Sequence, residues 1–155
     1  MRKINPAYIE AVIQFANSCP YFKLLSMIIR NICPGHALLE MRLSDAHIQA
    51  FGVVHGGAVA SLIDTAAFWA AVCDLNEGDG ITSVDLKLNY LVPVKTGTLS
   101  ARGCLVKLGT TIGVGTAEIV DEDENLIAYG TSTLMVLPGR GFIGGVSLPP
   151  KFLER

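Results

Sequence analysis

Hydrophobic positions follow a helical period in two parts of the chain. Asn5 and Pro6 favour a helix start, because asparagine caps helices and proline is tolerated at the first helical position. Apolar residues recur on one face through position 16, and Pro20 is expected to end this helix. A longer apolar segment from Ala58 to Leu75 is rich in alanine and leucine, which predicts a second helix. This helix is apolar on nearly every side and therefore has to be buried.

The rest of the chain carries strand patterns. Two strands are expected before the long helix, at 24–33 and 37–43, with Pro34-Gly35 as the turn between them and a loop from His47 to Val54 after them. Four more β-rich runs follow the helix, at 81–92, 98–107, 111–120 and 126–137. Consecutive hairpins imply an antiparallel sheet. The pattern predicts an α+β fold in which a curved antiparallel sheet is wrapped around one central helix.

Composition places this pattern in a single globular domain. The chain has 155 residues, of which 50% are hydrophobic and 17% charged, and no repeat or internal linker is apparent. We expect one domain over residues 1–155, in which the Gly- and Pro-rich segment 138–155 is an irregular tail. The composition is apolar for a monomer of this size, which favours an oligomer that shares apolar surface.

Charge and cysteine usage exclude several classes of function. A net charge of −2 provides no basic field for nucleic acid or an anionic membrane. The apolar segments are too short to cross a bilayer, and no signal-peptide pattern is present. Four scattered cysteines are typical of free thiols in a reducing compartment. The three histidines have no metal-ligand spacing. We therefore expect a cytoplasmic protein without a metal.

One acidic residue interrupts the apolar helix. Asp64 is the sole charge between Ala58 and Cys73, and with Ser61 and Thr65 it forms a polar stripe at i, i+3, i+4 spacing. A carboxylate in a buried helix costs several kcal/mol unless it is hydrogen-bonded or protonated. Asp64 is therefore either a structural group that caps a neighbouring backbone atom or a catalytic base or nucleophile in a dry site.

The start of the same helix offers a second chemical feature. His55 is followed by Gly56 and Gly57, which leave backbone N–H groups without covering side chains at the positive end of the helix dipole. Such an end can hold an anion or the developing oxyanion of a thioester or ester. Glycines here also permit close packing against a strand, and the acid in the same helix favours the chemical interpretation.

The spacing between these two features has a geometric consequence. Gly56 and Asp64 are eight residues apart, which is ~12 Å along a helix. One reacting carbonyl cannot contact both within one chain, because each contact has to be ~3 Å. We therefore expect a homodimer with two equivalent sites, in which two such helices lie antiparallel and Gly56 of one chain lies near Asp64 of the other.

Three further polar residues are candidates for the same site. The Gln49 amide could orient a water or a carbonyl, although a loop glutamine is more often simply exposed. His55 could act as a base, but hydrogen bonding to the local backbone is favoured for it. Ser83, at the start of a predicted strand, could hold a water near a carboxylate or be structural.

These residues carry a resemblance to a known family. The stretch His-Ile-Gln-Ala-Phe-Gly-Val-Val-His-Gly-Gly at 47–57, followed by Asp64, resembles the hotdog-fold acyl-CoA thioesterases of the phenylacetic-acid-pathway type. Ser83-Val84-Asp85 and Asn89-Tyr90-Leu91-Val92-Pro93 are also similar to that family's pattern, and the similarity spans about residues 20–137.

The resemblance implies roles for individual residues. Asp64 would be the nucleophile or general base, and the Gly56 N–H would polarise the thioester carbonyl. Gln49 would position the carbonyl or the attacking water, and Ser83 would assist that water. His55 is kept as a catalytic candidate because of its place beside the two glycines, not because of the resemblance. The two helix-start residues Gln49 and Gly56 would come from one chain, and Asp64 and Ser83 from its partner. The expected substrate-binding residues are Val54, Gly57, Thr65, Phe68 and Val84.

The resemblance also implies the assembly and the substrate. The hotdog fold pairs into dimers and often tetramers, and the substrate would be an acyl thioester of coenzyme A or of a carrier protein. Coenzyme A would enter as part of the substrate, so no separate cofactor is expected. The turn Gly109-Thr110-Thr111 lacks the Arg or Lys that often follows this glycine in the family, which leaves Lys95, Arg102, Lys107 and Arg140 as basic alternatives for the nucleotide phosphates.

Two other functions remain open at the level of sequence. A hotdog hydratase or dehydratase would pair a histidine with an acid, but His55 and Asp64 are far apart along the chain. A non-catalytic acyl-CoA-binding module would not need Asp64. The pairing of Gln49 with Asp64 does not decide the acyl specificity.

Overall fold

A six-stranded antiparallel sheet surrounds one long helix in the computed structural model, which describes residues 3–142 and 146–153. The helices are α1 (Pro6–Ser18), α2 (Pro20–Leu24) and α3 (Gly56–Val72). The strands are β1 (Met27–Cys33), β2 (His36–Arg42), β3 (Gly80–Tyr90), β4 (Thr98–Leu108), β5 (Ile112–Val120) and β6 (Leu126–Leu137).

The strands lie in the order β1-β2-β4-β5-β6-β3, and every neighbouring pair is antiparallel. The long helix α3 contacts all six strands. The predicted α+β fold, an antiparallel sheet around a central helix, is therefore confirmed.

Helix α3 lies close against the sheet because small residues stand where the helix crosses the central strands. Leu62, Ile63 and Ala66 of α3 are fully buried. A Cβ atom at Gly103 of β4 would collide with the carbonyl oxygen of Ala66, so glycine is needed at this crossing. The helix backbone can therefore approach the central strands directly, and its apolar side chains fill the space on either side.

The N-terminal region differs from the prediction. Asn5 caps α1 by accepting a hydrogen bond from the Ala7 N–H, as expected. Pro20, however, is the first residue of the short helix α2, because proline fits the start of a helix as well as it ends one. The first strand begins at Met27 and not at Leu24, since Ser26 turns the chain with a left-handed φ of 52°.

The other boundaries shift by a few residues. Helix α3 begins at Gly56 rather than Ala58, because the His55 side chain caps it there, and it ends at Val72 rather than Leu75. Strand β3 ends at Tyr90, two residues before the predicted end. The predicted loop at 47–54 is held by an isolated bridge between Ile48 and Val54.

The two edge strands of the sheet, β1 and β3, differ in how their outer backbone groups are bonded. On β1, the Asn17 carboxamide accepts a hydrogen bond from the Ile29 N–H (2.8 Å) and donates one to the Ile29 carbonyl (3.1 Å). Strand β3, at the other edge, pairs with β6 alone among the described strands. It and the residues that follow it expose apolar side chains: Val84, Tyr90, Leu91 and Val92.

The segment after β6 is irregular in its described part and packs against the N-terminal region. Ile4 and Phe152 form an isolated bridge, and the Asn5 N–H donates to the Lys151 carbonyl (2.9 Å). Residues 143–145, 154 and 155 of the predicted tail lie outside the described residues.

All four cysteines are free, and Cys73 is buried, as predicted. No helix among the described residues has the length and apolar character needed to cross a bilayer.

Candidate active site

The start of α3 is capped by its own N-terminal neighbour. His55 Nδ1 accepts a hydrogen bond from the Gly57 N–H (2.8 Å), and the His55 N–H donates to the His47 carbonyl (2.7 Å). The local role favoured for His55 is thus observed. The Gly57 amide, expected to bind substrate, already has an acceptor.

Gly56 keeps its amide available. In the first turn of a helix the N–H has no intrahelical acceptor, and none is found among the described residues. Tyr90 lies over the Gly56 Cα, where a Cβ atom would be 2.8 Å from its ring, and its hydroxyl donates to the Gly56 carbonyl (2.9 Å). A larger residue at position 56 would therefore displace the Tyr90 ring, which is 57% exposed.

An apolar groove of about 400 Å³ borders this amide. Its walls include Val54, Val59 and Val92, together with Gly56 and the Tyr90 ring. Val54, expected to bind substrate, is fixed at the edge of the groove because its N–H donates to the Val94 carbonyl (2.8 Å). Gly56 is therefore part of the wall of a largely apolar groove in which a neutral thioester could lie.

Gln49 is held in the loop that leads into α3. Its N–H donates to the Val53 carbonyl (2.9 Å), and its side-chain oxygen accepts a hydrogen bond from the Phe51 N–H. Because Oε1 is engaged within the loop, the NH₂ end of the amide remains to donate to a ligand. A carbonyl or a carboxylate fits such a donor.

Asp64 lies on a half-buried stripe of α3 with Ser61 and Thr65, as the spacing predicts. Asp64 was expected to be buried, but in the single chain it is half-buried. Its Oδ1 accepts a hydrogen bond from the hydroxyl of Ser132 on β6 (3.3 Å). Thr65, expected to bind substrate, donates its hydroxyl to the Ser61 carbonyl (2.6 Å) and so binds its own helix.

Ser83 lies on β3, opposite Leu134 of β6. Ser132, the partner of Asp64, is two residues away from Leu134 and therefore on the same face of the sheet. The register shifts between Ser83 and Asp85, so Val84 occupies a β-bulge and is 52% exposed. The bulge places Val84, expected to bind substrate, at the open edge of the sheet.

The predicted residues therefore form two groups. Gln49, His55 and Gly56 lie at the start of α3, whereas Asp64 and Ser83 lie beside its middle. Since α3 is continuous from Gly56 to Val72, the two groups are ~12 Å apart in one chain. Phe68 lies one turn beyond Asp64, in T-shaped contact with Trp69 (5.5 Å between centroids).

One of the basic residues considered for nucleotide phosphates is already engaged. Arg102 pairs with Glu124 at 2.5 Å and with Glu118 at 3.5 Å, and the hydrogen bond to Glu124 raises its pKa above the ordinary value. Lys95 and Lys107 are exposed.

The contacts that two residues of this region make with the site could not be predicted from the sequence. Ser132 is fully buried and bonds both the Asp64 carboxylate and the Asp85 carbonyl (3.2 Å), but it is 68 residues from Asp64. Tyr90 contributed to the family pattern, but its contact with Gly56 spans 34 residues. Neither contact follows from local spacing.

Comparisons with known proteins point in one direction. The family model described as the thioesterase superfamily matches residues 51–128, a segment that contains Gly56, Asp64 and Ser83. A Haemophilus influenzae protein named "Putative esterase" is 34% identical over 90 residues, which are 58% of this chain and 65% of that protein. Human acyl-coenzyme A thioesterase 13 is 30% identical over 102 residues, or 64% of this chain and 72% of that enzyme.

A solved structure extends the similarity to nearly the whole fold. A thioesterase from Haemophilus influenzae covers 90% of this chain and 96% of its own, with a TM-score of 0.80 and 27% identity. The region of similarity therefore includes the sheet and α3.

Proposed function

This chain belongs to the thioesterase superfamily, a class of thioester hydrolases, and from that premise we propose that it hydrolyses an acyl thioester of coenzyme A or of an acyl carrier to a carboxylic acid and a thiol. The observation that carries the proposal is a pair of complementary groups on α3. The unoccupied amide of Gly56 suits a developing oxyanion, and the carboxylate of Asp64 suits the attacking end of the reaction.

The thioester carbonyl binds at the start of α3. The Gly56 N–H donates to its oxygen, and the free NH₂ of Gln49 is the second donor. Both donors belong to groups that are fixed by other hydrogen bonds, so little reorganisation is needed when charge develops on the oxygen.

Asp64 supplies the other half of the chemistry. Its carboxylate either takes a proton from the attacking water or attacks the carbonyl carbon itself, and in the second route water then hydrolyses the anhydride. Ser83 orients the water. In both routes one water is consumed, the carbon–sulfur bond breaks, and the sulfur leaves as a thiol after it gains a proton.

The two groups meet in a homodimer. Within one chain they are ~12 Å apart, which is too far for one carbonyl. The half-buried stripe around Asp64 and the exposed apolar residues along β3 leave a surface that a second copy can cover. Gln49 and Gly56 of one protomer then face Asp64 and Ser83 of its partner, and each dimer has two sites.

The hydratase alternative receives no support from the geometry. His55 Nδ1 is occupied by the Gly57 N–H and caps α3, so this nitrogen is not available as a general base. The acyl-CoA-binding alternative predicts binding without turnover, which the following experiment measures.

The test is release of free thiol from a series of acyl-CoA thioesters by wild type and Asp64→Asn. We expect wild-type turnover and a loss of about 10³-fold or more in kcat for the variant, because the amide keeps the volume of the side chain and removes the charged base. Circular dichroism and the elution volume of the variant are the folding control. An Asp64→Asn protein that keeps most of its activity would remove Asp64 from the reaction, and wild type that binds these thioesters without cleaving them would favour the binding module.

A further inference from the structure

A cavity of about 90 Å³ lies beyond Asp64 towards the end of α3. Helix α3 contributes Phe68 and Val72 to its wall, and β3 contributes Ile81. The segment after β6 closes it with Phe142 and Lys151. Tyr8 of α1 and the charged residues Asp79 and Arg140 also line the cavity, so its apolar wall is the one formed by α3, Ile81 and Phe142.

The cavity is adjacent to the candidate site along both α3 and β3. Phe68 follows Asp64 by four residues, so it lies on the same helix face, one turn or ~6 Å further along. Ile81 precedes Ser83 by two residues, so both side chains are on the same face of β3. A group held between Asp64 and Ser83 therefore has the cavity as its neighbour in the direction of the helix end.

The far wall of the cavity is a buried ammonium group. Lys151 is 2% exposed, and its Nζ donates to the carbonyls of Val72 (2.8 Å) and Leu75 (2.5 Å), which lack intrahelical donors at the end of α3. A longer apolar chain would have to displace this group and leave a buried charge without its hydrogen bonds. Lys151 therefore opposes the entry of a longer chain on its side of the cavity.

We infer that this cavity receives the apolar end of the acyl group, so that the enzyme selects acyl thioesters with a compact apolar end and rejects long chains. At about 90 Å³ it is smaller than the ~150 Å³ of an apolar cavity that holds a benzene ring, which suits the last few carbons of an acyl chain or the edge of a phenyl ring. Phe142 stacks on Trp69 (6.0 Å between centroids, 12° between planes) and so supports one wall rigidly. This inference rests on the proposed thioester hydrolysis.

Val72→Phe fills the cavity, and Val106→Phe is its matched control. Val106 is 62% exposed on β4, so the same change there adds a ring to the surface. The substrates are acetyl-, hexanoyl-, phenylacetyl- and palmitoyl-CoA, and kcat/KM is measured by thiol release. In wild type we expect hexanoyl- or phenylacetyl-CoA to exceed palmitoyl-CoA. In Val72→Phe we expect kcat/KM for the favoured substrate to fall about tenfold or more relative to acetyl-CoA, while the control keeps the wild-type ratios.

Phe142→Ala tests the same cavity from the opposite direction. Removing this ring enlarges the cavity, so we expect the ratio of decanoyl- to hexanoyl-CoA hydrolysis to rise several-fold. This variant keeps the inference testable if Val72→Phe does not fold. Unchanged acyl ratios in the folded variants, or wild type that prefers palmitoyl-CoA, would overturn the cavity as the acyl site.

A binding measurement separates this inference from the proposed reaction. Hexanoic acid and phenylacetic acid are titrated into wild type and Val72→Phe, and the shift in Tm is recorded. Stabilisation of wild type and not of Val72→Phe supports the cavity even where no thioester is cleaved, which would count against the proposed reaction alone. Turnover with equal losses for acetyl- and hexanoyl-CoA would overturn the cavity alone.

Discussion

Ser132 holds the carboxylate of Asp64 from the opposite layer of the fold. Its hydroxyl, fully buried on β6, lies 3.3 Å from Asp64 Oδ1 and 3.2 Å from the Asp85 carbonyl, so its single proton is shared between an acceptor on the helix and one on the edge strand β3. The spacing of Ser61, Asp64 and Thr65 is enough to predict the polar stripe, because helical neighbours are set by sequence distance. The hydrogen-bond partner of Asp64, Ser132, is placed by the register of β6 in the sheet. Nothing in the sequence around a strand serine indicates such a contact.

We expect Ser132→Ala to lower kcat roughly tenfold, about 1.4 kcal/mol, with little change in KM, because the carboxylate loses its orienting donor and the substrate loses no contact. Steady-state kinetics and the urea midpoint, measured on the same preparations, separate positioning from stability. Ser132→Thr keeps the hydroxyl and is expected to recover most of kcat. A drop in stability with unchanged kcat would make Ser132 a packing residue.

At the scale of elements, the end of α3 is a cluster of buried ionisable groups. Burial raises the pKa of the Cys73 thiol to about 11 and that of the Tyr8 hydroxyl to about 12, and it lowers the pKa of Lys151. The helix itself could be predicted from its composition, but this cluster could not, because Tyr8 and Lys151 reach it from distant segments. The short helix α2 was missed for a related reason, since five residues are too few to show a period.

The Cys73 thiol gives the fold an alkaline sensitivity. Between about pH 9 and 11 an unfolded thiol loses its proton whereas the folded one keeps it, so the free energy of unfolding falls as pH rises, by at most ~1.4 kcal/mol per unit. Tyr8 acts in the same direction at higher pH, and Lys151 opposes both. Urea unfolding at pH 8, 9, 10 and 11 should show a shallower decline for Cys73→Ala than for wild type. Parallel pH curves for Cys73→Ala and wild type would contradict this account.

At the scale of the whole molecule, each half of the proposed site is complete in one chain while the whole site is not. The start of α3 carries the donors, and its middle carries the carboxylate. The helical rise alone predicts that they act across two chains, since ~12 Å cannot be closed within one rigid helix, and this stays a prediction. The surface proposed to join the chains could not be predicted from the sequence, because strand order, and not local pattern, places β3 at an edge of the sheet.

Mixing inactive variants tests the shared site. Gln49→Ala and Asp64→Asn proteins are unfolded together and refolded, so that half of the dimers carry one variant chain of each kind. One of the two sites in such a dimer is intact, and we expect about a quarter of wild-type activity. The control mixture is Ser83→Ala with Asp64→Asn, whose defects fall in the same half-site, and it should recover nothing. Mixed dimers that show no recovery in the first mixture would place the site within one chain.

The Asn17 carboxamide on β1 has a consequence for how growth of the sheet is limited. A sheet with two free edges can add copies at both ends and polymerise into a filament. Here the Asn17 side chain bonds both the N–H and the carbonyl of Ile29 in β1. An incoming strand therefore cannot form a continuous row of hydrogen bonds along this edge. If two copies pair through their β3 strands, the strands left at the outer edges of the joined sheet are the two β1 strands. Asn17 blocks both, so strand pairing stops at two copies.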